Sequence, residues 1–80
     1  MNTDITTQEG LKQIIDLSRE IKNIEDNIRP ASDNHLISIK EKRSNLLSYL
    51  YSQGLTGELI TDAWAEAQSL AKADRLAYLN

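Results

Sequence analysis

Aliphatic residues recur along the first third of the chain at a spacing that a helix explains. Ile14, Leu17, Ile21, Ile24 and Ile28 are separated by 3, 4, 3 and 4 residues, which is the a/d seam of a heptad. Upstream, Thr6-Thr7-Gln8-Glu9 has the form of a capping box, in which the Thr6 hydroxyl accepts from a first-turn amide and Glu9 reaches back to the cap. The pattern predicts a helix over 7–28, closed by Pro30, which disfavours helical geometry at Arg29 and has no amide proton to donate. Residues 29–34 form the expected loop.

The spacing returns with Leu36, Ile39, Arg43, Leu46 and Leu50, interrupted only at Arg43, and predicts a second helix over 35–53. Two matching seams joined by a short polar loop imply an antiparallel hairpin. Glu20 and Glu25 flank the first seam and Lys40 and Lys42 the second, so folding about the loop brings acid toward base. Exposed pairs of this kind are worth about 0–1 kcal/mol each. They select register while the aliphatic seam supplies stability.

Gly54 suits the left-handed position after a helix and Thr56 the cap of the next. A third helix is expected over 57–79, with Leu59, Ile60, Ala63, Trp64, Ala67, Leu70, Ala71 and Tyr78 on one broad apolar face. The chain therefore reads as a single all-α domain over 1–80: a helical hairpin with a heptad seam plus a third, C-terminal helix. Gly10, in the first turn, costs up to about 1 kcal/mol relative to alanine and marks an end expected to fray.

A domain of 80 residues buries a modest share of its surface, and with no cysteine it has neither disulfides nor thiolate metal sites. The missing thiols fit a reducing cytoplasm. Five aliphatic seam positions on so short a chain suggest more apolar surface than one hairpin covers, and predict a homodimer in which two hairpins form a bundle. No stretch approaches the roughly 18 apolar residues of a membrane span, and Met1-Asn2-Thr3-Asp4-Ile5 carries no basic or apolar leader pattern.

Candidate chemistry is sparse. His35 is the single histidine, beside Asp33 and Asn34 at a helix start, and reads as an exposed residue near a cap. Asp16, Glu20, Glu25 and Asp26 read as a solvated face, since paired carboxylates do acid-base work only in a pocket. Gly10, Gly54 and Gly57 match neither phosphate-binding glycine pattern. No catalytic residue, cofactor or metal site is expected.

The remaining reading is surface recognition. An arginine at seam position 43 must turn outward, pair with an acid, or set the register or choice of a partner. The aromatic residues are Tyr49, Tyr51, Trp64 and Tyr78, with no phenylalanine, and Trp64 falls on the apolar face as expected core. Lys40, Lys42, Arg43, Tyr51, Leu76 and Leu79 are the candidate partner-binding residues, the last three because they lie off the seams.

These features predict a non-catalytic protein-protein interaction module, an adaptor, inhibitor or regulatory subunit, whose partner is another protein. The alternative is a small nucleic-acid-binding regulator using Lys40, Lys42 and Arg43. Against it stands a formal charge of -3, from 9 basic and 12 acidic residues. A helix-turn-helix laid on Leu50, Gly54, Leu55, Ile60 and Ala63 would also present Glu58, Thr61, Asp62 and Glu66 to the groove.

Overall fold

In the computed structural model, which describes residues 7–79, the chain forms α1 (Thr7–Glu25), α2 (Asp33–Ser52) and α3 (Gly57–Leu79). Thr6, the expected cap of α1, lies outside the described residues. The third helix has the predicted bounds, while the first is shorter than predicted and the second begins earlier.

α1 stops well before Pro30 because Asn27 takes the left-handed conformation, with φ 61°. Its amide donates to the Ile24 carbonyl (3.0 Å) and that of Ile28 to the Asn23 carbonyl (2.9 Å), the paired bonds of a Schellman ending. Asparagine tolerates this conformation better than other residues with a Cβ. The chain has therefore left the helix before proline can act, and Ile28 sits half-buried beyond its end. α2 begins at Asp33 because Ser32 is the cap: its backbone is extended and its hydroxyl accepts from the His35 amide at 3.1 Å.

The turn into α3 repeats the device with glycine. Gly54, at φ 94°, donates to the Tyr51 carbonyl (3.1 Å), and the Leu55 amide reaches the Leu50 carbonyl (3.0 Å). Leu55 is thereby driven into the core beside Leu50. The Thr56 hydroxyl accepts from the Leu59 amide at 3.4 Å and opens α3.

α1 is the helix the other two share. α2 runs antiparallel to it, with Leu50 over Gly10 at one end and Lys40 beside Glu25 at the other. α3 runs parallel to it, with Ile60 and Ala63 against Ile14 and then Asp74 against Arg19. Both α2 and α3 pack on α1, yet among the described residues no Cα of α2 comes within 8 Å of one in α3. Near the turn all three helices share a cluster of Ile14, Leu50, Leu55, Ile60 and Ala63. Farther along α1, Leu17, Ile21 and Ile24 pack with Ile39 of α2 alone, and Ala67 and Ala71 of α3 are buried separately.

The seam of α1 is thus covered within one chain, with Ile14 0%, Leu17 9%, Ile21 3% and Ile24 9% exposed. Each such aliphatic side chain contributes about 1.5–3 kcal/mol on burial. Ile28, the fifth seam position, is half-buried.

Three expectations need correction. α3 buries a narrow stripe of Ile60, Ala63, Ala67 and Ala71, leaving Leu59, Trp64 and Tyr78 exposed. Beyond the cluster shared near the turn it packs on α1, and small residues let that helix approach closely while bulkier flanks are pushed outside. Gly10 is buried, and a Cβ there would collide with Leu50, so this glycine marks a close approach of α1 to α2 and not a loose end. Of the expected charge pairs, Lys40 meets Glu25 at 3.3 Å, but Glu20 turns to His35 (3.3 Å) and Arg29 (3.8 Å), leaving Lys42 exposed and without an ion pair among the described residues.

Candidate functional site

Because α2 and α3 diverge from their shared turn, a cleft opens between them with α1 as its floor. Ser18, Ile21, Lys22 and Glu25 of α1 line the bottom; Lys40 and Arg43 of α2 form one wall; Trp64, Ala67 and Gln68 of α3 form the other. The enclosed space is about 350 Å³. A second depression, sharing Lys22 and Gln68, continues across Asp26, Lys72 and Arg75.

Each wall follows from a local feature of sequence. Arg43 occupies a seam position where an aliphatic side chain would have met α1, and it lies half-buried instead. Its guanidinium swings to the buried Ser18 and donates a long hydrogen bond, 3.4 Å, to the hydroxyl. No carboxylate pairs with it among the described residues. Opposite stands Trp64, 44% exposed because it neighbours the alanine stripe that contacts α1. The cleft thus joins an indole, a largely polar floor and an unneutralised cation.

The placement of the α3 wall is fixed by a polar lock on the far side of α1. Arg19 donates through Nε and Nη2 to the two carboxylate oxygens of Asp74, each at 2.6 Å, and Asn23 Nδ2 donates to Asp74 at 2.8 Å. The bidentate fork sets the height of α3 on α1. The Arg19 hydrogen bonds, aided by that of Asn23, hold the Asp74 pKa down to about 2. Asn23 Oδ1 is buried without a hydrogen-bond partner among the described residues, an unmet acceptor built into the lock. Arg75 adds a looser tie to Asp26 at 3.6 Å.

The structure divides the sequence candidates. Lys40 and Arg43 share the cleft wall, whereas Lys42, a little over half a turn from Lys40, lies off it, so the three cations do not form one patch. Tyr51, Leu76 and Leu79 are exposed, as expected of off-seam residues. They are not together: Tyr51 precedes the turn into α3, and the two leucines lie at the other end of that helix, roughly 30 Å away. His35 is exposed and contacts Glu20. Trp64 is the residue the sequence reading placed wrongly; its signal was the neighbouring Ala63, Ala67 and Ala71, a stripe that buries itself and leaves a bulky flank outside.

No protein-family model, curated protein or solved structure matches this chain. Among the described residues, no helix is long and apolar enough to cross a membrane.

Proposed function

We propose that the protein is a small non-catalytic interaction module, an adaptor, inhibitor or regulatory subunit of a larger protein, and that the cleft between α2 and α3 is its recognition surface. The single observation that carries this reading is Trp64 and Arg43 facing one cleft, the indole half-exposed and the cation without a carboxylate. Tryptophan and arginine are the side chains most often found as energetic anchors of interfaces, and a rigid concave site concentrates them. The lack of cysteine suits work in a reducing cytoplasm.

A photo-crosslinking residue at Gln68, compared with the same residue at Tyr51 and at Leu76, tests the proposal in lysate of the native host. The expected result is a nuclease-resistant protein adduct from position 68 that disappears in the Arg43→Glu variant. Adducts from 51 or 76 alone would move the surface elsewhere. Adducts consisting only of nucleic acid would replace the module with the regulator.

A further inference from the structure

The cleft has the geometry of an empty corner. In a square array of four helices each helix packs on two neighbours about 8–10 Å away and misses the one on the diagonal. Here α1 packs on both α2 and α3, while those two stay apart beyond their shared turn. They occupy diagonal corners, α1 the corner between them, and the cleft is the fourth. In such an array the element that fills the fourth corner is a helix.

The charges around the corner say what that helix carries. Lys22, Lys40, Arg43, Lys72 and Arg75 gather along the cleft and its continuation, five of the chain's nine basic residues, against the carboxylates of Glu25 and Asp26. That local excess is positive in a chain of net charge -3. Lys40 is paired to Glu25, Lys22 and Arg75 to Asp26, while Arg43 and Lys72 have no acidic partner among the described residues. Covering Arg43 with an apolar or basic surface would strand a half-buried cation, so the occupant must bring a carboxylate to it.

We infer that the fourth corner takes an amphipathic helix of a partner protein, one that lays its aliphatic residues on the exposed indole of Trp64 and flanks them with glutamate or aspartate toward Arg43 and Lys72. This rests on the cleft being the recognition surface and goes on to name the partner's chemistry. A nucleic-acid strand is the poorer fit, because Glu25 and Asp26 stand in its path and already pair with three of the five cations. The chain's own Glu58, Asp62 and Glu66, exposed at four-residue intervals on α3, make a second copy the rival occupant.

A displayed library of amphipathic helices about six turns long, with a fixed aliphatic seam and flanking positions randomised among Glu, Lys, Gln and Ser, is selected on the immobilised full chain. Selection is repeated on an Arg43→Glu/Lys72→Glu variant and on Arg43→Gln/Lys72→Gln, each first shown to keep its helical circular dichroism. The expected result is enrichment of Glu flanks on the wild-type protein. Selected helices should shift the Trp64 indole resonance, bind about tenfold more weakly to the glutamine variant, and give way to Lys-flanked helices on the glutamate variant.

Binders that shift Trp64 yet carry neutral or basic flanks would overturn the acidic helix while leaving the cleft as a recognition surface. A library with no binder that shifts Trp64 would remove both. So would preferential displacement of the selected helices by single-stranded DNA. Dimerisation of the protein alone, detected by sedimentation and abolished by Arg43→Glu, would give the corner to a second copy and overturn the partner helix.

Discussion

Replacing Gly10 with alanine sets two opposed effects against each other. Inside a helix the change gains about 1 kcal/mol from backbone propensity. The new methyl, however, lands on Leu50, with Cδ1 at 3.0 Å and Cγ at 3.2 Å and the second methyl closer still. Rotating the leucine methyls does not clear the clash, because Cγ itself is too near and Leu50 is 0% exposed in the cluster with Ile14, Leu55 and Ile60. Overpacking of this kind costs about 1–3 kcal/mol, so Gly10→Ala should destabilise by about 0–2 kcal/mol.

Truncating Leu50 to alanine empties the space and costs about 2–5 kcal/mol by itself. In that background the clash is gone, and Gly10→Ala should stabilise by up to about 1 kcal/mol. The coupling between the sites is therefore about 1–3 kcal/mol. Urea unfolding followed by circular dichroism measures the cycle, with all four proteins in the same concentration of trimethylamine N-oxide to hold the weakest variant folded. Gly10→Ala stabilising the wild-type protein by about 1 kcal/mol, with no coupling to Leu50, would refute the close approach and restore a frayed end.

Other expectations follow from the same geometry. Asn27→Gly should hold or raise stability, whereas Asn27→Ala should cost about 1–2 kcal/mol, since only the latter meets the left-handed penalty; thermal unfolding separates them. Asp74 ionises with a pKa of about 2, below the ordinary carboxyl value of about 3.9, so its stabilising effect is complete above the unfolded value and fades as pH falls toward 2. Stability measured from pH 5 down to pH 2 should therefore fall less steeply in Asp74→Asn than in the wild-type protein; identical slopes would mean the lock does not form. Ile21→Ala should cost about 2–5 kcal/mol and Ile37→Ala less than about 0.5, because Ile21 is 3% exposed and Ile37 54%; equal losses in urea would contradict the assigned faces.

The seam of α1 was legible because Ile14, Leu17, Ile21 and Ile24 are all aliphatic and pack in the core, and α3 because glycine and a capping threonine fix its start. The stop of α1 was misread at Pro30: proline announces itself, whereas Asn27 ends a helix only by adopting a conformation its sequence merely permits. Trp64 was assigned to the core on hydrophobicity, yet along most of its length α3 meets α1 alone and buries a stripe of alanines there. The Arg19–Asp74 lock left no local trace, since its partners stand 55 positions apart and both resemble ordinary surface charges. Lys40 and Arg43 were found in a cationic run with Lys42, which helical periodicity alone sets on another face, but their placement opposite Trp64 depends on how α2 and α3 part.

The central claim is that the cleft, and not the exposed ends of the helices, receives a partner. Its most direct test is a backbone and indole amide shift map of the isotope-labelled chain, titrated with the protein recovered through the Gln68 crosslink. Shifts are expected to centre on Ser18, Ile21, Arg43, the Trp64 indole and Gln68, with Tyr51, Leu76 and Leu79 unmoved. Shifts confined to those last three residues, with a silent Trp64, would contradict it.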